Sequence, residues 1–147
     1  MFKAIISLFL WPIWFLYLLI ILPVFLIFIL IVNKKYFHYF LRPMSYFFCL
    51  LGGQLIKQTG IIPDPKDGPY LYLFNHQSLF DHFVIGTYIN HYVTAVAKHE
   101  HLSYPLWGQV AKFYGIVPIN RTNIKKALSS LKIVEDSIVN DKVSVLI

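Results

Sequence analysis

A histidine and an aspartate five positions apart are the residues of this sequence best placed to do chemistry. His76 and Asp81 follow an apolar run in the stretch "YLYLFNHQSLFDHF". Histidine has an unperturbed pKa of about 6.5, so near neutral pH its ring can take a proton from a hydroxyl group. A carboxylate bonded to the other ring nitrogen would fix the tautomer and stabilise the imidazolium. The pair is therefore a candidate base with an orienting acid.

The same residues also fit a purely structural interpretation. Ser78 and Asp81 have the spacing of a capping box, in which an acidic side chain in the first helical turn accepts a hydrogen bond from the cap residue's amide. In this interpretation Asp81 only begins a helix, and His76 is a loop histidine. The residues alone leave both alternatives open.

The elements that would position this pair alternate between strands and helices. Residues 70–74 form a continuous apolar run, which is typical of a strand buried on both faces of a parallel sheet. Further strands are predicted at residues 92–97, 116–119 and 143–147, and helices at residues 81–90, 105–115 and 124–138. The alternation predicts an α/β domain with a largely parallel sheet and flanking helices over residues 69–147. Sites in such sheets form beyond the carboxyl ends of strands, where Asn75 and His76 are expected.

Two of the predicted helices carry recognisable boundary residues. Pro105 is expected at the first position of the second helix, and Gly115 at its end. Thr122 or Asn123 can cap the third helix. Apolar residues at helical spacing predict its buried face: Ile124, Ala127, Leu128, Leu131, Val134 and Ile138.

Residues 1–34 are predicted to be a membrane-spanning anchor. The chain of 147 residues is 57% hydrophobic and 14% charged, and residues 4–32 carry no charge. As a helix they would extend about 43 Å, against a hydrocarbon core of roughly 30 Å. Pro12 and Pro23 leave two alternatives, a single kinked or tilted span and a re-entrant hairpin bent at Pro23.

Charges at the two ends of this stretch predict its orientation. Three basic residues follow it closely (Lys34, Lys35 and Arg42), whereas Lys3 alone precedes it. The positive-inside tendency then places the catalytic part on the cytoplasmic side.

Residues 35–68 are predicted to be an interfacial helical segment and a linker. Residues 36–51 are rich in tyrosine and phenylalanine, so they fit a helix at headgroup depth as well as a core helix packed on the sheet. Gly52 and Gly53 are expected to end this helix. The turn-forming residues 63–69 predict a surface loop, with the domain boundary near Pro69.

Composition narrows the function classes. A net charge of +6 without an arginine-rich arm or nucleic-acid motif favours lipid or phosphate as partner, and no nucleic acid. The single cysteine, Cys49, excludes a disulfide within the chain and is expected to be buried or lipid-facing. No metal site is predicted from His99 and His101, and no G-x-S-x-G elbow of a serine hydrolase is present. His82 and His91 are interpreted as single surface or loop histidines.

Three segments carry a resemblance to a known family. "FNHQSLFD" resembles the Asn-His-x-x-x-x-Asp motif of the glycerolipid acyltransferases, the 1-acylglycerol-3-phosphate (lysophosphatidic acid) acyltransferase family. "AVAKHEHLSYPLWG" and "YGIVPINR" are similar to the segments that follow this motif in the family, in the same order and at similar separations. The resemblance covers about residues 68–147.

The resemblance implies roles for individual residues. His76 would be the general base on the acceptor's free hydroxyl, with Asp81 as its charge partner. Asn75, beside them in the motif, would help to bind the substrate. The hydroxyl would attack the thioester of an acyl-CoA or acyl-carrier protein, with no metal or organic cofactor. Arg121 would contact the acceptor's phosphate.

Lys125 and Lys126 are further candidates for phosphate binding, on a separate argument from the residues. They lie at the start of a predicted helix whose free amides favour an anion, although an ordinary solvated helix face explains them equally well.

The expected function is a membrane-bound acyltransferase of phospholipid biosynthesis, which acylates 1-acylglycerol-3-phosphate to phosphatidic acid. Alternatives are an acyltransferase for another lysolipid and a truncated, catalytically inactive membrane adaptor. Asn120 departs from the family's usual aspartate. The family's third motif, a Phe-Pro-Glu-Gly-Thr-like stretch, would follow "VSVLI", so a C-terminally truncated chain is also expected.

Overall fold

A four-stranded parallel sheet forms the centre of the fold. The computed structural model describes residues 2–78 and 80–147, without the side chains of residues 2–5. The strands are β1 (Leu71–Tyr72), β2 (Val93–Lys98), β3 (Val117–Ile119) and β4 (Ser144–Leu146). They stand in the order β1-β4-β2-β3, and every neighbouring pair is parallel.

Five α-helices accompany the sheet in the described part of the chain. They are α1 (Phe2–Ile31), α2 (Lys34–Leu51), α3 (Asp81–Tyr88), α4 (Trp107–Tyr114) and α5 (Ile124–Val139). Short 3₁₀ helices occupy Pro65–Asp67, in the predicted surface loop, and His99–Ser103, directly after β2. The predicted α/β class, with a largely parallel sheet and flanking helices, is confirmed.

The central strand β4 joins the two halves of the sheet and supplies both of its faces. It pairs with β1 through Val145 and Leu146, and with β2 through the same residues and Ser144. Because side chains alternate along a strand, neighbouring residues face opposite layers. Val145 is fully buried against Val134 of α5, whereas Leu146 packs with Ile89 at the end of α3.

The strand that leads to His76 differs from its prediction. Residues 70–74 were expected to be buried on both faces, but only Leu71–Tyr72 is paired as a strand. The side chains of Leu71 and Leu73 are 53% and 74% exposed. These two leucines lie on the same face of the extended segment, and that face is exposed, whereas Tyr72 and Phe74 on the other face are partly buried. In the described sheet β1 stands at one side and pairs with β4.

The helices around the site also refine their predictions. α4 begins at Trp107, two residues after Pro105, and Gly115 ends it with a φ of 99°, a left-handed conformation that suits glycine. Asn123 caps α5 by accepting a hydrogen bond from the Lys126 amide at 3.1 Å. Half of the predicted buried face of α5 is exposed, because the helix meets the sheet through Ala127, Val134 and Ile138 rather than through Ile124, Leu128 and Leu131.

α1 is one continuous helix with an inward and an outward side. It passes through Pro23 without reversing, so the re-entrant hairpin is not formed. Leu22, Phe25 and Ile29 are buried, and the last two share a core cluster with Tyr114 of α4. Ile6–Ile31 is, by length and composition, the one described stretch that could cross a membrane. Met1 and the side chain of Lys3 lie outside the described residues.

α2 is held against the α/β domain by polar contacts on one side. His38 is buried, with Nε2 at 2.8 Å from the Ile89 carbonyl oxygen and Nδ1 at 3.2 Å from the Tyr114 hydroxyl. Arg42 donates from Nε to the Thr87 carbonyl at 2.9 Å. Cys49 is buried on the same side. The other side is exposed and aromatic: Tyr36, Tyr39, Phe40, Tyr46 and Phe47.

His38 should make the stability of the fold depend on pH. Burial lowers the pKa of His38, because the protonated ring loses its hydration. A depressed folded-state pKa gives stability that is present above the unfolded value of about 6.5 and is lost as the pH falls below it. We expect the unfolding free energy of the wild type to fall between about pH 7 and pH 5 with an extra slope of up to about 1.4 kcal/mol per pH unit relative to His38→Gln. Chemical denaturation in detergent across this range measures it, and parallel profiles for the two proteins would contradict it.

Candidate active site

The structure brings His76 and Asp81 together beyond the carboxyl end of β1. Nδ1 of His76 lies 2.9 Å from Oδ2 of Asp81, and the two side chains are 43% and 25% exposed. A carboxylate only accepts hydrogen bonds, so Nδ1 carries the hydrogen in this pair. Nε2 is then the ring nitrogen with a free electron pair. This arrangement can take a proton from a hydroxyl and stabilise the resulting imidazolium.

The same carboxylate also begins helix α3. Oδ2 of Asp81 accepts hydrogen bonds from the amides of Gln77 at 2.6 Å and Ser78 at 2.7 Å. The Ser78 hydroxyl accepts in turn from the Phe80 amide at 3.2 Å. Half of the predicted capping box forms, the bond from the Ser78 amide to Asp81, whereas the N-cap residue of α3 is Phe80, which makes no side-chain cap hydrogen bond. One oxygen of Asp81 thus serves both this bond and the orientation of His76. Leu79, between these residues in the predicted capping box, lies outside the described part of the chain.

Hydrogen bonds keep the Asp81 carboxyl ionised. The Ser78 amide is the largest influence that lowers the pKa of Asp81, and the Gln77 amide and the His76 side chain lower it further. Desolvation by burial raises the pKa of Asp81, but by less than the hydrogen bonds lower it. The charge that would stabilise a protonated His76 is thus present at neutral pH.

Two aromatic rings contact His76, and one of them corrects the sequence interpretation. The ring centroid of Phe74 is 5.4 Å from that of His76. His82 was interpreted as a single helix-surface histidine, yet its ring lies 4.7 Å from His76 at an interplanar angle of 80°. The ring of His82 also meets that of Trp107 edge-on, with the ring centroids 6.1 Å apart. Its position directly after Asp81 in the sequence was the available signal.

An apolar cavity lies next to these rings. It has a volume of about 270 Å³, and its wall includes Phe74, His82 and Trp107 from the α/β domain together with Trp14 and Leu18 from α1. A second apolar cavity of about 130 Å³ shares His82 and Trp107 with the first and extends between α1, α2 and α4. The candidate base is therefore bordered by residues that line space suited to hydrocarbon.

Arg121, like His76, lies beyond the carboxyl end of a strand, but the two residues do not contact each other. It follows β3, and the order of strands puts β3 three spacings from β1, roughly 14 Å between strand axes. The pairing of Lys98 with Ile119 places a second cation beside the end of β3. Lys98 was not predicted as a site residue, although its position at the end of a predicted strand was visible in the sequence. Lys98 also lies 3.5 Å from Glu100.

Two asparagine side chains accept hydrogen bonds from backbone amides around the start of α5. Oδ1 of Asn120 accepts from the amides of Thr122 and Asn123 at 3.0 and 2.9 Å, and Asn123 caps the Lys126 amide. Among the first amides of α5 itself, Lys126 is the one bonded to an asparagine oxygen, so the expectation that free amides there attract an anion stays a prediction. Arg121, Lys125 and Lys126 are exposed and have no acidic partner within ion-pair distance among the described residues. The positive charges of these side chains favour an anion at this place as well.

The remaining predicted residues have simple positions. Asn75 is exposed and makes no hydrogen bond to a described residue. Among the residues that the structure describes, no three histidine, cysteine or acidic side chains are arranged to hold a metal ion. His101 stacks on Tyr104, with ring centroids 5.6 Å apart.

Comparison with known proteins assigns the family. Residues 55–147, more than half of the chain, match the family model described as Acyltransferase. The chain belongs to the acyltransferase family. It is also 35% identical over 77 residues to a 1-acyl-sn-glycerol-3-phosphate acyltransferase of Cocos nucifera, an alignment that covers 52% of this chain and 25% of that relative. No solved structure matches significantly. The family resemblance seen in the sequence is confirmed, and the acyltransferase match includes every predicted site residue.

Proposed function

We propose that this acyltransferase moves a fatty acyl group from acyl-CoA or acyl-carrier protein to the free hydroxyl of a lysophospholipid, with 1-acylglycerol-3-phosphate as acceptor and phosphatidic acid as product. The observation that carries the proposal is the His76–Asp81 pair beside an apolar cavity. Membership of the acyltransferase family and the similarity to the Cocos nucifera enzyme support the reaction type and the acceptor.

His76 would act as general base in this reaction. Nε2 takes the proton of the acceptor's hydroxyl as that oxygen attacks the carbonyl carbon of the thioester. Collapse of the tetrahedral intermediate breaks the carbon–sulfur bond, and the imidazolium returns the proton to the leaving thiolate. Asp81 holds the tautomer and stabilises the positive ring between the two proton transfers. No metal or organic cofactor takes part in these steps.

The cations at the end of the sheet suit a phosphate-bearing acceptor. Arg121 is exposed, and Lys98 follows the strand next to it. A guanidinium binds phosphate oxygens through two parallel hydrogen bonds, which fixes orientation as well as charge. The acceptor would lie across the carboxyl ends of the strands, with its phosphate towards β3 and its hydroxyl towards His76.

We propose that α1 and α2 attach the protein to a membrane, with the α/β domain on the cytoplasmic side. The outward side of α1 is apolar, and the outward side of α2 is rich in tyrosine and phenylalanine, which favour the membrane–water interface. The substrates are amphiphiles, so attachment would bring the base to the surface that holds them. Digestion of the α/β domain by protease added outside intact cells would contradict this orientation.

Replacing His76 should abolish acyl transfer without unfolding the protein. We expect His76→Ala to lower kcat by roughly 100- to 10,000-fold, the usual contribution of a general base. Formation of labelled phosphatidic acid from acyl-CoA and lysophosphatidic acid measures the rate. His91→Gln is the matched control, because His91 lies at the opposite end of the strands, bonded to Ser144 at 3.0 Å. Near wild-type turnover by His76→Ala would overturn the assignment.

Replacing Arg121 should weaken use of the acceptor more than use of the donor. A hydrogen bond to a charged group contributes about 1.5–3 kcal/mol, so we expect Arg121→Ala to raise the KM for lysophosphatidic acid roughly 10- to 100-fold. The KM for the acyl donor should change by less than about twofold.

Lys132→Ala, in the middle of α5, removes the same charge away from the site and serves as control for this comparison. A monoacylglycerol acceptor, which lacks phosphate, should be used equally by wild type and Arg121→Ala. An equal rise in KM for donor and acceptor would count against phosphate binding.

Membrane attachment should depend on the outward side of α1. Phe15 and Leu19 are 60% and 55% exposed there. Each lysine placed in an apolar span costs about 2.5–3.5 kcal/mol, so Phe15→Lys/Leu19→Lys should lower the fraction that floats with liposomes. The matched control is Leu128→Lys/Ile133→Lys on α5, where exposure is 60% and 54%. Equal loss of flotation in both variants would contradict attachment through α1.

A further inference from the structure

His82 lies between the candidate base and the apolar cavity. It is the second residue of α3, directly after Asp81, and its ring meets that of His76 edge to face at 4.7 Å. The same ring contacts Trp107 at the start of α4 and forms part of the wall of both cavities. His82 therefore joins three parts of the site: the base, the first turn of α3 and the space for hydrocarbon.

The hydrogen bond to Asp81 does not by itself fix the direction of Nε2. A single contact between Nδ1 and Oδ2 leaves the imidazole free to rock about the line that joins these atoms. With 43% of its side chain exposed, His76 has few other neighbours to prevent this motion. The rings of Phe74 and His82 are the aromatic contacts that the described residues supply. An edge-to-face contact favours one relative orientation of two rings.

We propose that His82 is a positioning residue for His76: its ring holds the plane of the base so that Nε2 faces the point where hydroxyl and thioester meet. This inference rests on the proposed role of His76 as general base. His82 does not exchange a proton with substrate in this scheme. Its contribution is orientation, and orientation of a catalytic group affects the chemical step more than substrate binding.

The position of His82 in the cavity wall adds a consequence for the substrate. A hydrocarbon chain in the larger cavity would lie against His82 and Trp107, so the ring of His82 would contact both the substrate's acyl chain and the base. The first turn of α3 thus supplies two adjacent constraints on His76: Asp81 accepts its Nδ1 hydrogen bond, and His82 contacts its ring. Both depend on the same helix start, where the Asp81 carboxylate also accepts hydrogen bonds from the loop amides of Gln77 and Ser78.

Kinetics of two variants test the proposal. His82→Ala should lower kcat roughly 10- to 100-fold, because misplacement of a catalytic group by a fraction of an ångström to an ångström has effects of this size. The KM for donor and acceptor should stay within about threefold. His82→Phe keeps a ring at this place and should recover most of kcat. A wild-type kcat in His82→Ala would overturn the proposal, and so would a change in this variant that affects only KM. An equal loss of kcat in His82→Phe and His82→Ala, with unchanged melting temperatures, would also overturn it.

A spectroscopic measurement separates this proposal from the proposed function. In ¹⁵N-histidine-labelled protein in detergent micelles, we expect one ordered set of ring signals for His76 in the wild type and in His82→Phe, and broadened or averaged signals in His82→Ala. His91→Gln is the control that removes a histidine without touching His76. Unchanged His76 signals in His82→Ala would overturn the positioning role, whether or not the protein turns over. Disordered His76 signals in His82→Ala, combined with a wild type that transfers no acyl group, would uphold the ring contact and reject the proposed function.

Discussion

One oxygen atom of Asp81 organises the candidate site. It accepts hydrogen bonds from the amides of Gln77 and Ser78 and from the ring of His76. The amides keep the carboxylate ionised, and the ionised carboxylate holds the loop that they belong to. Helix start, loop shape and histidine tautomer are therefore not independent features. A neutral or misplaced side chain at this position would disturb all three at once, which explains why a capping pattern and a catalytic pattern coincide in the same few residues.

The sheet places His76, after β1, and Arg121, after β3, at two separate positions of the candidate site. β1 rests on β4 alone, and β4 also pairs with β2, so the fully buried Val145 supports both sides of the central strand. All four strands run parallel, so the residues that follow β1, β2 and β3 all lie at the carboxyl ends of the strands, on one end of the sheet. His76 and Arg121 both lie at that end of the sheet and do not contact each other. In the proposed acceptor the free hydroxyl and the phosphate are on adjacent carbons, so the long side chain of Arg121 would have to reach from the end of β3 towards His76 for one molecule to meet both.

The features that could be predicted from the sequence are those that depend on interactions between residues close in the chain. The alternation of strands and helices, the asparagine cap of α5, the glycine end of α4 and the pairing of His76 with Asp81 all depend on residues close in the chain. The order of strands does not, so the edge position of β1 and its exposed leucines were missed. The contacts of His82 were missed for a related reason, because a distance between rings depends on the backbone of the turn and on α4, which is distant in sequence.

The uniform hydrophobicity of α1 has a structural explanation in addition to the proposed membrane attachment. A helix that only lies on a water-soluble core needs one apolar face, and its other face is polar. α1 buries Leu22, Phe25 and Ile29 in the domain, lines the larger cavity with Trp14 and Leu18, and exposes further apolar residues outward. Every side thus meets either protein core, a hydrocarbon-sized cavity or the surface proposed to face lipid. If that surface does face lipid, a single helix separates the bilayer from the cavity beside His82, and an acyl chain would have a short apolar route between them.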